Sequence, residues 1–239
     1  MAIPYKNKTE GKKKQVASMF DSIAHRYDFL NHFLSAGIDK RWRKKGVKLL
    51  REKSPKLILD IATGTGDFAI EALSLRPEKV TGVDISAGML RFGREKLKKK
   101  GLENKIELLE GDSENLQFED NYFDAEIVAF GVRNFENLEK GLREMNRVLK
   151  KSGNVVILEF SKPRKFPIKQ LYNLYFLKVL PMLGRFFSKD KSAYSYLPES
   201  VGEFPDGMSF ISILEKCGFT NCREIRLTFG IASIYFCEK

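Results

Sequence analysis

One stretch constrains this chain more than any other: Leu57-Ile58-Leu59-Asp60-Ile61-Ala62-Thr63-Gly64-Thr65-Gly66-Asp67-Phe68-Ala69, followed by Val80-Thr81-Gly82-Val83-Asp84. It reads as a buried strand, a glycine turn, a helix start and a second strand ending in an acid. That order builds a nucleotide crevice at the carboxyl ends of parallel strands. The glycines allow a sharp turn and close approach of backbone to ligand. Asp84 stands where a carboxylate accepts hydrogen bonds from two ribose hydroxyls.

Gly64, Gly66 and Ala69 satisfy the dinucleotide spacing G-x-G-x-x-G/A, so a nicotinamide cofactor fits the spacing alone. Two acids argue against it. Asp60 precedes the turn and Asp67 follows it, and a pyrophosphate at this helix N-terminus would be repelled by the pair. S-adenosylmethionine, with its ammonium and sulfonium, would be attracted. A third acid, Asp112 in Glu110-Gly111-Asp112-Ser113-Glu114, follows the next strand-like run and can meet an adenine amino group. The expected cofactor set is Asp60, Thr63, Gly64, Gly66, Asp67, Asp84, Asp112 and Ser113. The structural alternative for each acid is a helix or loop cap.

At 239 residues with a formal net charge of +11, the chain suits one large domain spanning 1–239, with cap helices and a basic tail in 1–54 and a lid insertion in 161–206. Residues 1–54 carry +9, residues 162–191 carry +7, and the remainder is net −5. Basic extensions on a mildly acidic body attract phospholipid headgroups or nucleic acid; a merely solvated face is the plain alternative. No run of about 18 apolar residues suggests a membrane span, and no apolar leader is visible near the start. Cys217, Cys222 and Cys237 lack metal-finger spacing and read as reduced thiols in a cytosolic setting. No metal-ligand cluster stands out.

Periodicity predicts helix over 16–50, 68–75, 87–100, 138–149 and 209–217. Strands are predicted over 57–61, 79–84, 105–110, 123–130, 154–160, 219–228 and 231–237. Residues 1–14 read as a mobile tail. Residues 161–206 hold five of the eight prolines and a dense aromatic set, the wrong composition for a simple crossover. Strands alternating with helices and then a hairpin predict a doubly wound α/β sheet with an antiparallel edge strand.

The body, residues 45–160 and 207–239, resembles class I S-adenosylmethionine methyltransferases. That likeness implies a seven-stranded, mostly parallel Rossmann-like sheet ordered 3-2-1-4-5-7-6. Four further motifs resemble the menaquinone and ubiquinone C-methyltransferases: Tyr27-Asp28-Phe29-Leu30-Asn31 with Leu34-Ser35 and Trp42; Phe130-Gly131-Val132-Arg133-Asn134; Arg147-Val148-Leu149-Lys150-Lys151-Ser152-Gly153; and Ala193-Tyr194-Ser195-Tyr196-Leu197-Pro198-Glu199-Ser200. The family pattern usually has Met at position 30, His at 39, Ser at 129, and Pro-Gly at 151–152. Asp39 therefore receives no catalytic role.

The resemblance implies methyl transfer to a ring carbon of a reduced, polyprenylated quinone, most simply a demethylmenaquinol, with a benzoquinol as the alternative. Ring carbon becomes nucleophilic when a neighbouring phenol loses its proton, so the protein must stabilise a phenolate and hold the reactants close. Arg133 and Asn134, expected after strand four, are the candidate catalytic residues; an ion pair of Arg133 with Glu136 is the structural alternative. Tyr27, Tyr194 and Tyr196 are the candidate substrate contacts, with Tyr27 and Asp28 closing over the cofactor. A polyprenyl tail calls for peripheral docking on the inner face of the cytoplasmic membrane. Tyr172, Tyr175, Phe176, Leu177, Leu180 and Leu183 would offer the apolar face, and Lys169, Lys178 and Arg185 the charge. A packed lid or a homodimer contact would use the same face. Other methyl acceptors remain open (another lipid, a small phenol, RNA), as does a non-enzymatic cofactor-sensing module. No RNA-binding module is recognisable, and nucleic acid is not expected as a partner.

Overall fold

The computed structural model describes residues 2–35, 37–175 and 192–239, and within its helices not the side chains of residues 26, 28–34 and 192–194. Seven strands form one sheet: β1 (Leu57–Ile61), β2 (Lys79–Asp84), β3 (Ile106–Glu110), β4 (Phe123–Ala129), β5 (Leu149–Phe160), β6 (Thr220–Leu227) and β7 (Ala232–Glu238). Their order is β3-β2-β1-β4-β5-β7-β6. Strands β1 to β5 are parallel, and β7 runs antiparallel to both β5 and β6. The expected order is present, but the antiparallel strand β7 lies inside the sheet between β5 and β6 and not at its edge, because the closing hairpin adds β6 beyond it.

The central strands are apolar on both faces because helices cover both. Ile58 packs with α2 (Ile38–Leu49), α3 (Asp67–Ala72) and α4 (Ala87–Lys100), while its neighbour Leu59 packs with α5 (Leu138–Val148) on the opposite side. In α5, Gly141, Leu142, Met145 and Val148 make the buried stripe at helical spacing, and the Asn137 side chain caps the helix by accepting from Lys140 N at 3.0 Å. Ser86 caps α4, and Gly101 closes it at φ 65°.

Helix α1 (Lys12–Leu34) lies against α4 across the carboxyl edge of the sheet. The insertion contributes α6 (Ile168–Leu174) and α7 (Ser192–Glu203), followed by α8 (Met208–Lys216). Tyr172 of α6 and Tyr196 of α7 pack with Val16 and Met19 of α1.

Three expectations need correction. Residues 2–14 are not a loose tail: Ala2 is buried, Gln15 accepts from Tyr5 N at 2.8 Å and donates to Glu10 O at 2.7 Å, and α1 already begins at Lys12. Strand β5 starts at Leu149, not residue 154, because Leu149 pairs with Phe123 across a register shift. Cys222 and Cys237 form a disulfide, leaving Cys217 buried and free. The β6–β7 register brings together two residues 15 apart in sequence, a pairing that spacing alone does not reveal.

Glu126 of β4 is fully buried, and neither carboxylate oxygen has a hydrogen-bond partner. Burial raises its pKa well above the ordinary 4.5, with Lys239 acting weakly in the other direction. The native protein then binds a proton that the unfolded chain has lost, so this group's contribution to stability falls as pH climbs above 4.5. Glu126→Met is expected to stabilise the fold at pH 7 by about 1–3 kcal/mol in urea denaturation, with the gain shrinking toward pH 4. A gain that is the same at both pH values would refute the buried-acid explanation.

Candidate functional site

The site is an open cleft at the carboxyl ends of β1, β2 and β4. Its floor depends on the turn after β1. Asp60, 1% exposed, accepts from the Thr63 hydroxyl at 2.6 Å and from Ala69 N at 3.0 Å. It thereby ties the start of the turn to the first turn of α3. Burial pushes its pKa up to about 7 against the effect of those two hydrogen bonds. Gly64 and Gly66 adopt the left-handed conformation the turn requires, at φ 58° and 83°.

The turn aims Gly64 N at Asp84 Oδ2, 2.7 Å away, and Ser86 N donates to Asp84 Oδ1 at 2.9 Å. Asp84 lines the cleft with Gly64, Asp112 and Ser113. Its pKa is raised to about 6 by burial, opposed by those amide donors. Each carboxylate oxygen has two lone pairs, so acceptor capacity remains for a ligand's hydroxyls.

The other expected cofactor residues stand elsewhere. Asp60, Thr63, Gly66 and Asp67 are not among the residues lining the cleft. The oxygens of Asp67 lie 2.8 Å from Lys96 Nζ and 3.0 Å from Arg43 Nη2. The electrostatic case against a pyrophosphate therefore cannot rest on Asp67; it rests on Asp84, whose carboxylate accepts from backbone amides, whereas Asp112 is itself paired with Lys13. Arg43 also pairs with the buried Asp39 one turn back in α2, so the acid at position 39 holds the guanidinium that joins α2 to Asp67 of α3.

Helix α1 roofs the cleft with Lys13, Val16, Phe20 and Tyr27. Asp21 accepts from the Ser86 hydroxyl at 2.6 Å and from Gly88 N at 2.8 Å, fastening α1 to the start of α4. Lys13 Nζ bonds Asp112 Oδ2 at 2.7 Å and Glu114 Oε2 at 3.2 Å. Buried Lys12 donates to Arg133 O and Phe135 O at 3.0 and 2.9 Å, and desolvation lowers its pKa to about 8.

The loop after β4 supplies the remaining wall: Phe130, Gly131, Asn134, Phe135 and Glu136. Asn134 Oδ1 accepts from the Tyr196 hydroxyl at 3.0 Å, while Asn134 Nδ2 donates to Phe130 O at 3.3 Å. Its second amide hydrogen remains to meet a ligand. Arg133 is turned away from the cleft. Its Nη1 donates to Phe130 O and, at 2.9 Å, to Glu159 Oε1; its backbone N also faces Glu159, at 3.4 Å. Glu159 is fully buried. The expected direct contact of Arg133 with a phenolate is thus replaced by a buried ion pair, and its partner is Glu159, not Glu136. The lone pairs of Glu159 are already engaged deep in the sheet, whereas Glu136 lies on the cleft wall.

Tyr27 lines the cleft, in edge contact with Phe20 at 5.8 Å between centroids. Tyr196 is buried behind Asn134 and reaches the site through that amide. Of Tyr194 only its place in α7 is described; the side chains of Asp28 and Tyr194, and the whole of Phe176, Leu177, Lys178, Leu180, Leu183 and Arg185, lie outside the described residues. Among the described residues, no group of three or more His, Cys, Asp or Glu side chains is arranged to hold a metal. Sequence reasoning missed Lys12, Lys13, Asp21 and Glu159. Only Glu159 carried a signal, an acid ending an apolar strand like Asp60 and Asp84.

The family model described as ubiE/COQ5 methyltransferase family matches residues 8–239. A demethylmenaquinone methyltransferase of Bacteroides fragilis is 52% identical over 238 residues, covering 99% of this chain and 96% of that protein. A ubiquinone/menaquinone biosynthesis C-methyltransferase of Geotalea daltonii is 46% identical over 230 residues, covering 95% and 97%. Among solved structures, an S-adenosylmethionine-dependent methyltransferase of Thermotoga maritima, described as a possible histamine N-methyltransferase, aligns with TM-score 0.65 at 19% identity, over 93% of this chain and 99% of that one; at that identity the likeness concerns the fold alone. With the sheet order, the Asp84 cleft and a match of this length together, the chain belongs to the ubiE/COQ5 methyltransferase family.

Proposed function

We propose that this protein methylates a ring carbon of a reduced demethylnaphthoquinol, using S-adenosylmethionine, and so produces a menaquinol. The observation that carries the reading is the position of Asn134, whose amide reaches the cleft within a chain that is 52% identical over nearly its full length to a demethylmenaquinone methyltransferase. The cleft fits the cofactor: Asp84 offers acceptor lone pairs for ribose hydroxyls, and Asp112 with Ser113 lines the same cleft where an adenine would sit. S-adenosylmethionine supplies an electrophilic methyl group on a cationic sulfur. Asp84 favours that cation, and neither the Lys13–Asp112 pair nor the Arg133–Glu159 pair adds net charge to repel it.

Asn134 is the donor for the quinol. Tyr196 and Phe130 O fix its carboxamide, so its remaining hydrogen can stabilise negative charge developing on a quinol oxygen without reorganising. Arg133 and Glu159 hold the loop that carries Asn134. Tyr27 closes the cleft from above. No described helix is long and apolar enough to cross a membrane. A polyprenyl tail nevertheless resists leaving a bilayer, so peripheral docking on the inner face of the cytoplasmic membrane supports delivery of the head group. A homodimer built on the lid is the competing use of that surface.

Radiolabelled S-adenosylmethionine with a short-chain demethylnaphthoquinol is expected to give reductant-dependent, lipid-extractable product, and faster than with the matching benzoquinol. Asn134→Ala should lower kcat about 100-fold or more with little change in cofactor affinity, as loss of one oxyanion donor does. No transfer to either ring, despite cofactor binding, refutes the substrate assignment.

Asp84 accepts hydrogen bonds best when ionised, so cofactor affinity should fall as pH drops through about 6. In calorimetric titration, Asp84→Asn should bind S-adenosylmethionine more weakly by about 1.5–3 kcal/mol at pH 8 and lose that pH dependence. An unaltered pH profile in the variant would refute the assignment of Asp84.

A further inference from the structure

The β6–β7 hairpin ends at the same edge of the sheet as the cleft. Phe160 of β5 pairs with Ala232 of β7, just beyond the hairpin tip at residues 228–231. The tip is clamped. Trp42 Nε1 donates to Thr228 Oγ1 at 2.8 Å, Ser161 Oγ donates to Gly230 O at 2.8 Å, and Ser161 N donates to Ile231 O at 2.9 Å. On this fixed tip Phe229 is 79% exposed, with φ 58° and ψ 20°. A left-handed position in a turn normally selects Gly or Asn. Phenylalanine at such a position, held outward by its neighbours, gains nothing from the protein's own core.

The segment beside the tip has the same character. A Cβ on Gly230 would lie 3.7 Å from Pro163 Cα. Three residues further on, Phe166 is 80% exposed, and α6 then turns Leu171 and Leu174 outward while Tyr172 faces inward. Residues 161–175 and 226–231 contain Lys162, Arg164, Lys165, Lys169 and Arg226 and no acid. Asp206 lies within 4.0 Å of Lys162, Arg164 and Arg226, which leaves the face with a clear positive excess.

We propose that Phe229 and Phe166, with the outward side of α6, form an aromatic wedge that inserts into an anionic phospholipid surface, with Lys165 and Lys169 at headgroup level. Apolar side chains ringed by lysine and arginine are what an anionic bilayer interface recognises. A symmetric contact between two copies would instead set two cationic faces against each other. This goes beyond the lid-based docking described above by placing a rigid hairpin at the membrane. It rests on the quinol reading only for its purpose: the cleft edge would face the leaflet that holds the substrate's tail.

The test is co-sedimentation of the full chain with sucrose-loaded phosphatidylcholine vesicles, with or without about 30% phosphatidylglycerol. Wild type should bind the anionic vesicles and release at high salt, as screening requires. Phe166→Ser/Phe229→Ser should lower the partition coefficient about tenfold or more, and Lys165→Glu/Lys169→Glu should remove the preference for anionic lipid. Transfer to a soluble short-chain quinol should be unchanged in both variants, which shows that they fold. Variants that remain active and bind vesicles like wild type overturn the proposal. Wild type that ignores vesicles but self-associates through Phe229, by sedimentation equilibrium, overturns it in favour of a dimer contact. Vesicle binding lost in variants that still bind S-adenosylmethionine like wild type, with no transfer to any quinol by wild type, upholds the docking surface and refutes the quinol reading separately.

Discussion

The carboxyl group of Asp60 sits almost without water at the end of β1 and accepts from both Thr63 and Ala69. The nucleotide turn closes around those two bonds. With the turn closed, Gly64 N points at Asp84, and the two acids lie near enough for each charge to weigh on the other. Burying a carboxylate is expensive unless donors surround it. Here the donors are amides and a hydroxyl rather than counter-cations, so burial lifts the pKa of Asp60 to about 7 and that of Asp84 to about 6, and Asp84 carries the negative potential of the cleft near neutral pH. The acid beside it that does have counter-cations, Asp67, contributes little to that potential.

The roof is equally specific. Helix α1 is fastened at three places: Lys12 to the carbonyls of the loop after β4, Lys13 to Asp112 and Glu114, and Asp21 to Ser86 and Gly88. Each bond joins α1 to an element that carries a wall of the cleft. The loop with Asn134 is held again from outside by the Arg133–Glu159 pair and by Tyr196 of α7. A buried ion pair need not stabilise a fold relative to apolar packing. Its value here is geometric: one carboxylate faces both the side chain and the backbone N of residue 133, so the next residue's amide is positioned with little freedom.

Much of this was legible in sequence because it depends on neighbours. The apolar runs of β1 and β4, the glycine turn, the Gly101 stop and the acid ending β2 are local patterns, and each marks its element within a residue or two. The likeness over 57–69 and 130–134 located the cleft and its far wall. What misled were residues whose local appearance fits two fates. Asp60 and Asp67 both look like ligands of the cofactor, yet one braces the turn and the other neutralises two cations. Arg133 looks like a catalytic cation, yet its charge is spent on Glu159. Residues 2–14 look like a solvated tail because their partners, among them Glu199, Arg133, Asp112 and Glu114, are about a hundred or more residues away.

The sequence by itself determined the strands, the nucleotide turn and the acid that ends β2, since hydrophobic period and turn residues act over a few positions; the sheet order and the class of chemistry came with the family resemblance of its motifs. Only the tertiary structure decided which acids remain unpaired, which face of Arg133 is used, that Asn134 and not Arg133 meets the cleft, that Cys222 meets Cys237, and that Phe229 stands outward at the crevice edge. Those outcomes depend on which lone pairs and charges are already taken by residues far along the chain, and a hydrogen bond between distant segments leaves no mark on the spacing of either.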